Sequence, residues 1–436
     1  MIRRKLSLIA VDVRPLRERD FRRLWFGNGV AFVGYNLTAV AVAVQVYDIT
    51  RSSLYVGLLG IAALVPLIGF GLWGGAVADA VDRRLLLIAS SCVMWVITGA
   101  LLLQALLDVR SGWLILALVA IQSAGFAVAS PTRGAILPRI VPRELLPAAN
   151  TLTFTMTTLG MVVGPLIAGV VIGRRHNYSA AYAIDAVLFT VSLYASLRLP
   201  ALPPLGEIVR PGLRSVLDGL RFIATQPVLL MSFVVDIIAM VFAMPKALFP
   251  ELGETQFGGG PAVGWLFAAI AIGSVVGGLM SGWIGRIHRQ GLALTIAVVA
   301  WALAVAAAGL ANSLWLAVVL LAAAGAADLV SAVFRQTILQ SVAPDEMRGR
   351  LQGVFIVVVA GGPRLGDLRA GATAAFASAT VSWVAGGVLC AVVVIAVALC
   401  VPAFLRYDAS RQLAPRLDAH LPNVRAATRK SATKPS

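Results

Sequence analysis

The sequence predicts an all-α membrane protein: twelve transmembrane helices in two pseudo-symmetric six-helix bundles. Three observations carry that expectation. Of the 436 residues, 59% are hydrophobic and only 13% charged, too little polar surface to cover a water-soluble globule. Apolar runs of membrane length alternate along the chain with basic or Pro/Gly punctuation. A pattern at the end of the fourth run recurs at the end of the tenth.

The first run begins after a basic segment (Arg14, Arg17, Arg19, Arg22, Arg23) and extends from Leu24 to Tyr47, long enough to cross ~30 Å of hydrocarbon. Five more follow near 54–79, 85–107, 113–138, 146–172 and 179–198. A Pro-rich connector (Pro200, Pro203, Pro204, Pro211) then leads to six further runs near 228–250, 262–285, 291–311, 314–342, 350–377 and 381–405. The expected organisation is an N-terminal segment 1–20, a bundle 21–198, a linker 199–226, a second bundle 227–405 and a basic, disordered tail 406–436. In the linker, Leu213, Val216, Leu217, Leu220 and Ile223 recur at helical spacing opposite Arg210, Arg214, Asp218 and Arg221, the pattern of an amphipathic helix on a membrane surface.

Lys and Arg crowd the even-numbered loops and both termini, whereas the odd loops hold only Arg51, Arg110, Arg174 and Arg175. By the positive-inside rule both termini are expected in the cytoplasm. The net charge of +16 does not indicate nucleic-acid binding, because no soluble segment exceeds roughly 30 residues to carry a basic recognition face. Cys92, Cys390 and Cys400 lie inside apolar runs without CxxC spacing and read as small packing residues. A GxGxxG at Gly69, Gly71 and Gly74 follows no strand and lies in an apolar run, so these glycines read as packing notches rather than a dinucleotide loop.

Internal repetition organises the whole. One constant offset places Arg133 on Arg335, Ile136 and Leu137 on Ile338 and Leu339, Pro142 on Pro344 and Glu144 on Glu346. Two repeated six-helix halves joined by a linker are the organisation of a parallel-repeat secondary transporter. Gly75, Asp79, Arg83 and Arg84, at the spacing GxxxDxxxRR, resemble the loop signature between helices 2 and 3 of the major facilitator superfamily. The resemblance implies a conformational latch there. Ala80 and Asp82 depart from the usual pattern, and the second-half copy around Gly285 has lost the acid. In the fifth run Gly160, Gly164, Pro165 and Gly169 resemble the helix 5 signature of proton-coupled exporters, with Ala168 in place of one glycine; a bent helix with small residues is expected to pack across the interface between halves.

Ionisable residues at membrane depth are costly and therefore informative. Asp236, Asp328, Arg364 and Asp367 are the candidates for proton coupling, Arg364 and Asp367 being spaced to share a helix face. Arg369 lies at the same depth, while Asp185 and Lys246 read as structural or as reaching the interface. The family resemblance implies that helices 1, 4, 7 and 10 line the central cavity, which makes Tyr35, Asn36, Gln45 and Gln122 candidates for substrate contact. The segments 197–204 and 343–351 with Gly366 and Asp367 resemble the branch of the superfamily that contains siderophore exporters. Together these features imply a secondary transporter of a bacterial inner membrane, exporting a siderophore-like amphipathic molecule by proton antiport through alternating access. Its partners are expected to be a small-molecule substrate, protons and the bilayer, without nucleic acid, metal or cofactor, in a monomer. Alternatives are a broad-specificity drug exporter and a polytopic membrane enzyme. The latter requires a catalytic constellation, whereas His176, His288 and His420 fall in loops and tail without HExxH spacing.

Overall fold

The structure, a computed structural model, describes residues 12–173, 176–203, 213–344 and 347–408, with the side chains of 72–80, 213–216, 348–350, 353 and 356 outside that description. The described residues fold as helices and connecting turns. The first half comprises α1 (Arg19–Thr50), α2 (Ser53–Ala80), α3 (Arg83–Leu106), α4 (Gly112–Ile140), α5 (Leu146–Ile172) and α6 (Tyr178–Leu197). After α7 (Leu213–Thr225) of the linker, the second half comprises α8 (Pro227–Phe242), α9 (Phe249–Thr255), α10 (Gly260–Leu279), α11 (Gln290–Gly309), α12 (Leu314–Val342), α13 (Arg348–Phe376) and α14 (Ala379–Cys400). Among the described residues, eleven segments are long and apolar enough to cross a membrane. The remaining long helix, α13, has 29 residues, about 43 Å at helical rise, and carries Arg364, Asp367 and Arg369.

Local chemistry accounts for the helix starts. Ser111, Asn177, Ser313 and Ser378 each cap a helix by accepting the backbone N–H three residues on, satisfying a donor that hydrocarbon cannot. Asp82 caps α3 through the Arg84 N–H at 2.8 Å. One core runs from Ile223 to Tyr407 within the second half, and another, around Leu37, Leu101 and Tyr182 of the first, also takes in Ala247 and Val263 of the second. Ile223 ties α7 into the core of the second half, while Leu217 and Leu220 of α7 are exposed.

The halves meet along two seams, α2 against α13 and α5 against α10. Both depend on glycine. A Cβ on Gly60 would stand 2.7 Å from the Arg364 carbonyl oxygen, and one on Gly264 would stand 2.5 Å from that of Pro165 and 2.9 Å from Gly169 Cα. Gly57 and Gly371 make equivalent approaches to Asp367 and Ser53. All these contacts lie in the halves of the helices remote from the Arg83–Arg84 turn and the linker. That remote side is the far end of the molecule; the side with the turn and linker is the basic end. The cross-half polar bonds whose partners are both described also lie at the far end: Arg51 with Glu254 at 2.9 Å, and the Ser53 hydroxyl donating to Glu251.

The seventh run differs from its expectation. Instead of one span over 228–250, α8 stops at Phe242 and the chain resumes as a 3₁₀ turn, Lys246–Leu248, and then α9. Pro245 and Pro250 lack backbone donors, so a continuous helix would lose two hydrogen bonds. The groups freed by the break are taken up by α13 and its neighbours. Arg369 donates to the carbonyls of Val241 (3.2 Å) and Phe242 and to that of Ser382 (3.3 Å), and the Asp367 carboxylate accepts the Ala247 N–H at 3.3 Å. Gly366 lets α13 approach the Met240 carbonyl and Gly386 leaves room for the Arg369 guanidinium. Arg369→Met removes these donors at a partly buried site within the helix bundle. The expected outcome is a loss of about 2–4 kcal/mol, read as a lowered midpoint of thermal unfolding in detergent, with a smaller loss for Arg369→Lys.

Candidate functional site

The ionisable groups of the second half gather around α12 and the break. Asp236 on α8 is ion-paired with Arg335 on α12, and both side chains are almost fully buried. Arg335 also reaches Asp328, one helical stretch earlier on α12, at 3.7 Å, where the Asp328 side chain is about one-third exposed (32%). Two carboxylates therefore share one guanidinium. Lys246, at the break, lies within electrostatic reach of both Asp328 and Asp367. The expected sharing of a face by Arg364 and Asp367 does not produce a pair: Arg364 donates to the Ala360 carbonyl at 2.5 Å, and Asp367 holds the Ala247 N–H. The turn of α13 that brings Asp367 to the break directs Arg364 to its own helix backbone. Arg335 was not among the sequence candidates, although its repeat partnership with Arg133 was the available signal.

The expected cavity residues divide. Tyr35 stacks with Phe32 and with Phe126, with ring centroids at 6.3 and 5.2 Å, an aromatic cluster shared by α1 and α4. Asn36 donates to the Phe32 carbonyl at 2.8 Å, and Gly164 closes against it. Gln45 lines a pocket at the far end with Asp48 and His176. It is buried, exchanges amide bonds with Gln104 (3.0 and 3.3 Å) and accepts from the Tyr182 hydroxyl at 2.6 Å, so its polar atoms hold α1, α3 and α6 together. Gln122 is also buried and donates to Thr98 at 3.3 Å.

In the fifth-run motif, Gly160 and Gly164 face α1 of their own half, whereas Pro165 and Gly169 face Gly264 and Gly260 across the seam. Of the expected latch, Gly75 and Asp79 lie outside the described side chains. Arg83 donates to the Ala135 carbonyl at 3.3 Å and through its N–H to Leu202 at 3.1 Å, and Arg84 donates to the Leu197 carbonyl at 2.9 Å. Asp82, read from sequence only as a departure from the motif, accepts the Leu202 N–H at 3.2 Å as well as capping α3. With Arg139 on the Pro203 carbonyl at 2.5 Å, the turn is stapled to the start of the linker. At the far end Arg51 bridges Asp48 (2.5 Å) on α1 and Glu254 on α9, with His176 3.8 Å from Asp48.

Paired six-helix halves meeting at glycine seams, with charged groups buried beside a broken helix, define a membrane transport protein. The sequence profile of the transmembrane secretion effector family of the major facilitator superfamily matches residues 10–432, and the chain belongs to that family. The chain is 31% identical over 375 residues to the enterobactin exporter EntS of Shigella boydii serotype 18, covering 84% of this chain and 88% of the relative. It is 30% identical over the same length to the enterobactin exporter EntS of Escherichia coli O1:K1, with the same coverage. Among solved structures, the nucleoside transporter NupG (D323A mutant) superposes with a TM-score of 0.72 at 12% identity, covering 88% of this chain and all of that one. A D-xylose–proton symporter superposes with a TM-score of 0.66 at 14% identity, covering 86% of this chain and 96% of that one. These likenesses show the fold, and the protein is a multi-pass membrane transporter.

Breaking a buried ion pair by removing one member strands the other charge. Arg335→Met is therefore expected to destabilise the protein by about 3–5 kcal/mol, and adding Asp236→Leu to recover most of that loss. Thermal unfolding of the two single variants and the double variant measures the coupling, and purely additive losses would contradict the pairing.

Proposed function

We propose that this chain exports an amphipathic, siderophore-like organic molecule across a bacterial inner membrane by proton antiport and alternating access. The similarity to enterobactin exporters over 84% of the chain supports the substrate class and the direction. The single observation that supports coupling is the sharing of one guanidinium by Asp236 and Asp328. Such a cluster carries one net negative charge when both acids are ionised and none when one is protonated. Asp328, the more exposed of the two, is the group we assign to proton exchange; Asp236 and Arg335 hold its counter-charge in place. The Tyr35 and Phe126 cluster offers a face for an aromatic or apolar part of the substrate.

In this reading the basic end is cytoplasmic, and the structure, sealed at the far end, is the inward-facing state. Arg51, Glu254, Ser53 and Glu251 form the external seal that must open for release, and Gly75, Asp79, Arg83 and Arg84 belong to the cytoplasmic latch that forms in the opposite state. Transport needs no cofactor beyond the proton gradient and no catalytic residue, and a monomer contains the whole pathway.

Export is tested with inverted vesicles. Substrate should accumulate when the interior is acidified, and accumulation that persists after the gradient is collapsed would exclude antiport. Asp328→Asn should reduce gradient-driven accumulation at least ~10-fold, the loss of about 1.4 kcal/mol of drive or more, while preserving exchange of labelled for unlabelled substrate at zero gradient. For the seal, Glu254→Gln in a variant lacking Cys92, Cys390 and Cys400 should speed labelling of Ser53→Cys by a membrane-impermeant thiol reagent added from the periplasmic side. Unchanged labelling would remove Arg51 and Glu254 from the gate.

A further inference from the structure

Among the described intramembrane aspartates, Asp236 and Asp328 lie on Arg335, and Asp367 lies among Lys246, Arg364, Arg369 and a backbone donor. Asp185, in the middle of α6, is different. It is 1% exposed, and its partners are two hydroxyls, Thr38 of α1 at 2.6 Å and Thr98 of α3 at 3.4 Å, both directed at Oδ2. Its Oδ1 is buried without a hydrogen-bond partner, against Gly34, where any side chain would collide with it.

The elements packed on α6 bring no cation to this carboxyl. From α1 the facing titratable group is Tyr35, and on α6 itself it is Tyr182, one turn away. The remaining titratable groups of α1 are Arg19, Asp20, Arg22 and Arg23 at the basic end and Tyr47 and Asp48 toward the far end; α3 has only Cys92 and the terminal Arg83 and Arg84, and α5 has none. Tyrosine and cysteine at ordinary pH are neutral. A carboxylate buried at membrane depth without a cation cannot recover its lost hydration from two hydroxyl donors. The accepting pattern also has a direction: Oδ2 behaves as a carbonyl oxygen receiving two donors, which leaves Oδ1 as the atom that bears hydrogen.

We propose that Asp185 is a proton-binding site of the first half, occupied on Oδ1 in the conformation seen here. One H⁺ adds to the carboxylate to give the neutral acid, with no other bond made or broken. The site is wired to the two helices that present the aromatic cluster: Thr38 lies one turn from Tyr35 on α1, and Gln122 of α4 donates to Thr98, which donates to Asp185. Closure of α1 on α6 at Gly34 thus depends on Asp185 being neutral, and the first half carries a protonation state of its own. In its transport consequence this inference rests on the proposed coupled export.

Infrared difference spectroscopy of the full-length protein in lipid nanodiscs, held at about pH 7 where a free aspartate is ionised, tests the site without transport. The wild type should show a carboxylic-acid carbonyl band that Asp185→Asn loses, and Thr38→Val should shift that band to higher frequency as a hydrogen bond to Oδ2 is removed. A carboxylic-acid region unchanged in Asp185→Asn overturns the proposal, as does an unshifted band in Thr38→Val should the first variant not fold. In proteoliposomes, Asp185→Asn should reduce gradient-driven transport at least ~10-fold and keep zero-gradient exchange within about twofold; wild-type gradient drive in the variant overturns the functional role. A wild type that shows the band but no gradient dependence would instead overturn antiport and leave the site standing.

Discussion

Hydrocarbon offers no partner to a backbone N–H or carbonyl, and the rest of this structure follows from meeting that constraint. Among the described residues the long helices meet it with their own backbone ladders, and Asp82, Ser111, Asn177, Ser313 and Ser378 cap the starts of α3, α4, α6, α12 and α14. The seventh run is interrupted between Phe242 and Lys246, beside Pro245, and side chains of α13 replace bonds lost at the break. Arg369 and Asp367 supply them from α13. Charged residues that look expensive in a membrane helix are thus offset by the carbonyls and N–H that they satisfy.

The fold was legible because membrane folding writes itself in coarse variables: length of apolar runs, basic punctuation and an internal repeat. The break in the seventh run was not read, since Pro245 and Pro250 fell near the expected end of a span and mean hydropathy there stays high. The candidate sites were legible by residue type and less so by partner. Asp236, Asp328 and Asp367 stand out as charges at depth, and spacing puts Arg364 and Asp367 on one face, whereas the structure bonds them to Ala360 and Ala247. Helical spacing states which residues share a face, whereas the partner of a face is decided by a neighbouring helix distant in sequence. Gln45 illustrates the same limit: it is polar and at a plausible depth, and it is consumed by Gln104 and Tyr182.

The two halves, repeated in sequence, have diverged in how they hold polar groups. The second half uses opposite charges, with Arg335 between Asp236 and Asp328. The first uses neutral donors: Gln45, Gln104 and Tyr182 in one cluster, Thr38, Thr98 and Gln122 around Asp185 in another. Charge pairs in low dielectric are strong and selective for one geometry, while hydroxyl and amide clusters exchange partners at smaller cost. The repeat therefore preserved the helical frame and not the chemistry within it.

The break and the far-end cross-half bonds belong to one stretch of chain. The segment that follows Lys246 carries Glu251 and Glu254, which meet Ser53 and Arg51 of the first half, and the same segment begins at Ala247, whose N–H is held by Asp367. Asp367 sits on α13, and α13 packs directly against α2, the helix that begins at Ser53. α13 is thus joined to the far-end bonds by two routes, through the glycine contacts at Gly57 and Gly60 and through the short arm of the seventh run. The interruption sets the residues from Lys246 to Thr255, which carry the cross-half bonds, apart from the rest of the seventh run.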